Sequence, residues 1–160
     1  MTIDTIVVAV PDANLEVAIR AVINKPEGSI YTSDLESITT LDAQEKGISD
    51  LTGLEYCVHL ETLILARNNI SDLSALAGLT NLQKLDLDNM HISDISVLAG
   101  LTNLDWLGLY ANNISDISAL VENSGLSDGD AVDLSGNPLS AASIDVYIPQ
   151  LEARGVFVEY

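Results

Sequence analysis

The chain has 160 residues, of which 48% are hydrophobic and only 4% aromatic, so the composition favours a single domain with an aliphatic core. Its net charge of -18, from 24 acidic and 6 basic residues, excludes nucleic acid as an expected partner, because such a surface repels phosphate groups. The charge also disfavours anionic membranes, and no apolar run in the sequence is long enough for insertion into a bilayer.

The N-terminal segment is predicted to be a helical cap. A helix is expected over residues 12–24, because Pro11 and an aspartate precede an apolar stripe at helical spacing. The residues of that stripe are Leu15, Ala18, Ile19 and Val22. A second short helix is expected over residues 33–37. The start of the chain is apolar but has no basic segment before it, so it does not predict a signal peptide. Residues 1–37 are assigned to this cap.

The central segment, residues 38–122, is an internal repeat of 22 residues. Equivalent positions recur at this spacing in three columns: Leu41, Leu63, Leu85 and Leu107; Ile48, Ile70, Ile92 and Ile114; Leu54, Leu76, Leu98 and Leu120. In the first half of each unit, alternate side chains predict a short strand, as around Leu63 and Leu65. In the second half, a Ser-Asp pair such as Ser71 and Asp72 is typical of the start of a helical or 3₁₀ turn.

The C-terminal segment, residues 123–160, departs from this spacing. Leu107 corresponds to Val132, 25 residues later, because residues 124–130 insert a loop. A last strand is then predicted, followed by a closing helix over about residues 140–154 that Pro149 kinks or restarts. Its inward side chains are expected to be Ile144, Ile148 and Leu151. Residues 156–158 are expected to end the chain as a short strand. This segment therefore predicts a C-terminal cap.

The repeat unit reads L-x-x-L-x-L-x-x-N-x-I-S-D-[LI]-S-x-L-A-G-L-T-N. Over about residues 38–139 it resembles the 22-residue leucine-rich repeats of bacterial internalins. The resemblance implies an α/β leucine-rich-repeat solenoid, curved, with parallel strands on the concave face and short helical or 3₁₀ turns on the convex face, closed by capping helices. It also implies a secreted or cell-surface location.

The resemblance further implies a role for the asparagine after each strand, such as Asn68 and Asn112. In the family this side chain turns inward and hydrogen-bonds the backbone of neighbouring coils, which satisfies amides left unpaired by the turn. Lys46 and Met90 occupy the equivalent positions in two other coils. Lys46 belongs to a terminal coil, whereas Met90 interrupts the ladder, and we expect it to cost about 1 kcal/mol of hydrogen bonding.

Reactive side chains do not converge in the sequence, so the chain is predicted not to be an enzyme and to hold no cofactor. His59 and His91 lie in different coils at positions that are not equivalent. Cys57 occupies a core position, which favours a buried, inert thiol. The densest loop carboxylates are Asp128, Asp130 and Asp133. They lack a full calcium-loop pattern, so no metal site is assigned and weak calcium binding stays open.

The outward strand positions vary from coil to coil, whereas the core columns barely change. They form three columns: Thr40, Thr62, Lys84 and Trp106; Asp42, Ile64, Asp86 and Gly108; Gln44, Ala66, Asp88 and Tyr110. A flanking column contains Glu45, Arg67, Asn89 and Ala111. Trp106 and Tyr110 are predicted to wall a notch with Gly108 as its floor, and aromatic and arginine side chains are enriched at binding hot spots. The candidate binding residues on the concave face are Trp106, Tyr110, Asp86, Asp88, Lys84, Ile64, Arg67 and Asn89.

The leading hypothesis is a non-catalytic module that binds a protein or peptide through this concave face. The acidic residues fit a partner with a basic or amphipathic segment. Two alternatives remain open: a structural spacer or adhesion segment of a larger surface protein, and a free-standing engineered scaffold with no native ligand. A monomer is expected, because a cap covers each end of the stack.

Overall fold

Short strands stacked one per coil form the framework of the molecule. The computed structural model describes residues 6–160. Within this range a six-stranded parallel sheet contains β3 to β8, and a two-stranded antiparallel sheet contains β1 and β2. The strands are β1 Val7–Val8, β2 Ile30–Tyr31, β3 Thr40–Asp42, β4 Thr62–Ile64, β5 Lys84–Asp86, β6 Trp106–Gly108, β7 Ala131–Asp133 and β8 Phe157–Glu159.

The strand register confirms the repeat spacing. Leu63 pairs with Leu41 on one side and Leu85 on the other, and Leu85 pairs with Leu107. Leu107 then pairs with Val132, which confirms the longer step of 25 residues at the inserted loop. The short strand expected at residues 156–158 is present one residue later, as β8, and it pairs in parallel with β7.

The core is a continuous stack of aliphatic side chains inside the coils. The inward leucines of β3 to β6 are fully buried, and so are the isoleucines that follow each strand. Burying each of these side chains contributes about 1.5–3 kcal/mol. A single coil could not bury them, because the core side chains of each coil are covered by the neighbouring coils. The fold is therefore set by the columns that the sequence repeats.

The convex side carries short turns that the Ser-Asp pairs begin. They are 3₁₀ turns at Leu54–Tyr56, Ser74–Leu76 and Ser96–Gly100, and the helix α3 at Ser118–Glu122. The Asp72 carboxylate accepts a hydrogen bond of 2.8 Å from the Ser74 amide, and Asp94 and Asp116 make the equivalent contacts. Asp72, Asp94 and Asp116 thus each bind the first amide of their own turn, whereas Asp50 accepts from Thr52, ahead of the turn at Leu54–Tyr56.

The asparagine ladder joins neighbouring coils. Asn68 is buried; its Oδ1 accepts from the amides of Lys46 and Ile48, and its Nδ2 donates to the carbonyls of Ala43 and Leu65. Asn112 makes the same four contacts two coils further on, to Met90, Ile92, Leu87 and Leu109. The inward role that the family resemblance implied is confirmed.

Met90 breaks this ladder as expected. Its side chain is 1% exposed and offers no oxygen to the preceding coil. In the described part of the chain, the amides of Asn68 and Ile70, which an asparagine here would serve, have no acceptor. Buried amides without acceptors lower stability, so the coil pair joined at Met90 lacks a contact that its neighbours have.

The N-terminal cap is a helix, α1 at Ala13–Ile23, followed by the short helix α2 at Thr32–Leu35. Asp12 caps α1 through Oδ1, which accepts from the Asn14 and Leu15 amides, and its Oδ2 accepts from Ser49 and Asp50 in the first coil. Val22 was expected to face inward; this is wrong, since it is 42% exposed and Ile23 packs against the core instead.

The C-terminal cap contains a π-helical stretch, Ser143–Tyr147, and the helix α4, Ile148–Ala153, which begins next to Pro149. Ile148 and Leu151 are buried as predicted, but Ile144 is 40% exposed and the prediction for it is wrong. The wider π turn shifts the inward position by one residue, to Ser143. The Ser143 hydroxyl donates to the Ser115 carbonyl at 2.8 Å and so ties the cap to the last coil.

Two contacts fix the inserted loop before β7: the close packing of Gly125 against the Thr102 backbone, and the hydrogen bonds of the buried Asn123 side chain. A β-carbon on Gly125 would lie 1.8 Å from the Thr102 carbonyl oxygen, so only glycine fits there. Asn123 is fully buried, and its Nδ2 donates to the carbonyls of Leu98 and Leu101. Arg154 from the C-terminal cap donates to the Asn123 and Val121 carbonyls.

Candidate functional site on the concave face

The outward side chains of β3 to β8 lie in rows that cross the strands. Buried leucines on alternate positions fix the strands, so the residues between them must face outward. Strand pairing places the first row as Thr40, Thr62, Lys84, Trp106, Ala131 and Phe157, and the second row as Asp42, Ile64, Asp86, Gly108, Asp133 and Glu159. The sequence predicted the first four members of each row; the last two come from the C-terminal cap.

The Trp106 indole lies across the face rather than beside a notch. A β-carbon on Gly108 would be 2.7 Å from Trp106 Cη2, which means that the six-membered ring occupies the space above this glycine. The predicted open notch with a glycine floor is therefore wrong, because the indole itself fills it. Lys84 Nζ lies over the Trp106 ring, 5.0 Å from its centroid, which is a cation–π distance. This contact helps to keep the indole in place on the sheet.

A hydrogen bond joins Asp88 to Tyr110 of the next coil. Asp88 Oδ1 accepts a hydrogen bond of 2.8 Å from the Tyr110 amide, and the Tyr110 side chain is 44% exposed. Asp86 Oδ1 in turn accepts from the Asp88 amide at 3.1 Å. These contacts fix two of the candidate carboxylates next to the aromatic side chains.

The electrostatic environment of Asp88 is unusual for an aspartate. Burial raises its pKa above the ordinary value, and the nearby Asp86 and Asp133 carboxylates raise it further. The Tyr110 amide and Arg67 act in the opposite direction without cancelling the increase. The concave face therefore carries three neighbouring carboxylates, those of Asp86, Asp88 and Asp133, and Asp88 among them is partly shielded from water.

Arg67 and Asn89 lie at the end of this face, where the chain leaves each strand. Arg67 forms an ion pair with Glu45 of the preceding coil, and both side chains are exposed. Arg67 and Asn89 adopt φ angles of 60° and 56°, and Glu45 and Ala111 of neighbouring coils do likewise. This left-handed residue turns the chain out of the strand, so the side chain stands at the rim of the face.

The structure brings most of the predicted residues together, but not all equally. Lys84, Trp106, Asp88 and Tyr110 contact one another directly or through Gly108. Ile64 is half-buried in the row of Asp86, one strand nearer the N-terminus. Ala66, predicted to face outward, is 6% exposed, so it contributes no surface.

Sequence reasoning missed four residues of this face: Ala131, Asp133, Phe157 and Glu159. The correspondence of Leu107 with Val132 already implied that the neighbours of Val132 face outward. Phe157 carried no such signal, since β8 lies beyond the repeat. Its side chain is 69% exposed.

The remaining reactive residues lie apart from this face. His59 Nδ1 is 2.9 Å from the Glu36 carbonyl oxygen, and His91 is in another coil. Cys57 is buried, and burial raises the pKa of its thiol to about 12. Over residues 6–160, no group of three or more histidine, cysteine or carboxylate side chains is placed to hold a metal ion. No helix in that range is long and apolar enough to cross a membrane.

Comparison with known proteins identifies the class. The family of leucine-rich repeats in two copies matches residues 58–100 and 80–122. A leucine-rich-repeat protein of Leptospira interrogans has the same fold, with a TM-score of 0.69 at 22% identity, covering 79% of this chain and 32% of that one. The chain is a leucine-rich-repeat solenoid.

A second similarity narrows the class. An internalin of Listeria monocytogenes is 31% identical, with a TM-score of 0.61, over 94% of this chain. The chain is thus a leucine-rich-repeat domain similar to this internalin, and it spans 56% of the length of that internalin chain. No curated protein sequence matches the chain.

Proposed function

We propose that this domain is a protein-binding module that engages its partner through the concave face. The leucine-rich-repeat and internalin families generally serve as non-catalytic interaction modules, and the likeness to both supports this role. The observation that carries the choice of surface is the cluster of Trp106, Lys84, Asp88 and Tyr110. Aromatic side chains on a rigid sheet offer contact area at little conformational cost.

The location and assembly of the domain are part of the same proposal. A secreted or cell-surface location fits the likeness to the Listeria internalin. A monomer is favoured because α1 and α2 cover one end of the core and α4 covers the other, which leaves no open coil to pair. The proposed division is an N-terminal cap at 1–37, repeats at 38–122, and an insertion loop, last strand and C-terminal cap at 123–160.

The test is capture of partners from cell extracts by the immobilised domain. The double variant Trp106→Ala, Tyr110→Ala is compared with the parent and with a convex control, Val97→Ala. Both changes remove exposed or half-buried surface, and equal melting temperatures would show that folding is intact.

Loss of a captured protein with the concave variant alone supports the proposal. Retention by the concave variant, or loss with the convex control, contradicts it. Capture of nothing by the parent would favour the alternative role of a structural spacer.

A further inference from the structure

The single tryptophan and the single phenylalanine of the chain lie in the same row of the concave face. Trp106 pairs with Ala131, and Ala131 pairs with Phe157, so the two rings stand two strands apart with a small residue between them. At about 4.8 Å per strand, the row spans about 10 Å. Phe157 is 69% exposed, so its ring contributes little to the core of the cap. The apolar row therefore runs from a partly exposed Trp106 to a largely exposed Phe157 on β8.

A row of carboxylates runs beside the apolar row. Asp86, Asp133 and Glu159 occupy β5, β7 and β8 at the next outward position, with Gly108 between the first two. One oxygen of Asp86 and one of Asp133 accept backbone amides, from Asp88 and Ser135. These bonds fix the two carboxylates in direction.

The carboxylate row lacks a cation of its own. The ion pairs formed within residues 6–160 are Glu16 with Arg20, Lys25 with Asp34, and Glu45 with Arg67, none of which includes the row. Lys84 lies over the indole instead. Adjacent carboxylates without counterions repel one another, and a cationic partner would relieve this repulsion.

We infer that the binding face continues across β7 and β8 and takes a polypeptide segment in which lysine or arginine alternates with bulky apolar side chains. This inference rests on the proposed function and specifies the partner. The two rows are two residues apart along each strand, about 7 Å. An extended segment that crosses the strands sends alternate side chains to opposite edges, so its apolar residues reach Trp106 and Phe157 while its cations reach Asp133 and Glu159.

Charge decides between this occupant and others. A second copy of the chain, with a net charge of -18, would bring negative charge onto the carboxylate row. Nucleic acid and anionic lipid would do the same. A cationic segment with apolar side chains complements both rows at once.

The experiment titrates the parent domain with a capped peptide of about seven residues, Lys-Phe-Lys-Phe-Lys-Phe-Lys. Two matched peptides replace either lysine by glutamate or phenylalanine by serine. Emission from Trp106, the only tryptophan, reports contact at the row itself, and calorimetry gives the affinity. The parent is expected to bind the first peptide, more weakly as salt rises, and to bind each matched peptide at least about tenfold more weakly.

Two variants test the extension. Phe157→Ala, and the pair Asp133→Asn with Glu159→Gln, are each expected to lower the affinity at least about tenfold. The control pair Glu122→Gln with Glu152→Gln removes the same charge from exposed residues of α3 and α4 and is expected to change affinity less than about twofold. Thermal melting confirms that each variant is folded.

Each contrary result overturns the inference. If the parent binds no lysine–phenylalanine peptide, or binds the glutamate peptide equally well, the partner chemistry is wrong. If binding is lost with Trp106→Ala but unchanged by both β7–β8 variants, the extension is wrong. Partner capture that depends on Trp106 and Tyr110 would still support the proposed function in either case, so the two failures are distinguishable.

Discussion

Trp106 lies over Gly108 two residues along its own strand, and the missing β-carbon of that glycine makes the position possible. The side chain at residue 108 therefore controls where the largest aromatic surface of the concave face rests. An indole held flat presents its face to a partner, whereas one that stands free has to be ordered on binding.

Replacing Gly108 by alanine is expected to move the indole. The new β-carbon would lie 2.7 Å from Trp106 Cη2 and 2.9 Å from Asp88 Oδ1, so both side chains have to move, and the indole can swing outward more easily than the strand can shift. Trp106 emission should move to longer wavelength, with a change in unfolding free energy below about 1 kcal/mol. Fluorescence and denaturant unfolding measure both, and Thr40→Ala is the control. Unchanged emission would show that the indole does not occupy this space.

Met90→Asn is expected to stabilise the domain. The asparagine can accept from the Asn68 and Ile70 amides and donate to the Leu65 and Leu87 carbonyls, as Asn112 does one coil later. Each recovered hydrogen bond contributes about 1 kcal/mol, against about 2 kcal/mol lost with the buried thioether. Four such bonds against the lost thioether give a net gain of about 2 kcal/mol in the free energy of unfolding, measured with denaturant. Met90→Leu, which supplies no oxygen, should show no gain; equal stability of the two variants would contradict this account.

Cys57 should make the domain less stable in alkali. Burial raises the pKa of the folded thiol to about 12 from an ordinary value of 9.0. A raised acid pKa favours the neutral form in the fold, so its stabilising effect is complete below pH 9 and is lost as pH rises from 9 towards 12. The stability of the parent should fall relative to Cys57→Ala over this range. A constant difference would show that the thiol ionises equally in both states.

The same burial predicts that the Cys57 thiol is inert in the folded domain. A thiol reagent at pH 8 should label it only when denaturant is added, since the thiolate is the reactive form. Rapid labelling of folded protein would place Cys57 at the surface and contradict its packing in the first coil.

Asp12 is expected to lock the N-terminal cap to the first coil. Although burial raises its pKa, amide hydrogen bonds, first that of Ser49, hold the pKa of Asp12 below its usual range. Its contribution should therefore be present above about pH 4 and be lost as pH falls below the folded pKa. Asp12→Ala should cost about 1–2 kcal/mol at pH 7, measured by denaturant unfolding. The loss should shrink as the pH falls through the folded pKa of Asp12; a loss that stays constant would show that the charge plays no part.

Much of the fold could be predicted because the same physical requirement recurs in every coil. An inward leucine at a fixed spacing has to be buried by the next coil, so the columns of Leu63 and Ile70 define both the strands and their register. The caps have no such repetition. Ile144 was misplaced because a π-helical stretch changes the number of residues per turn, and no pattern in the sequence marks that stretch.

The site was predictable in part for the same reason. The outward rows follow from the register, which placed Lys84 beside Trp106 and Asp86 beside Gly108. The position of the indole depends on its side-chain torsion angles, which the sequence does not specify. Phe157 joins the row through a strand of the cap that shares no repeat with β6, so only the folded arrangement reveals it.

Photo-crosslinking tests the central claim most directly. A benzoylphenylalanine is placed at Thr62, on the concave face, or at Ala77, on the convex side, and each protein is irradiated with a captured partner. Binding through the concave face predicts crosslinks from position 62 that Trp106→Ala with Tyr110→Ala abolishes, and none from position 77. Crosslinks from position 77 alone would contradict the account.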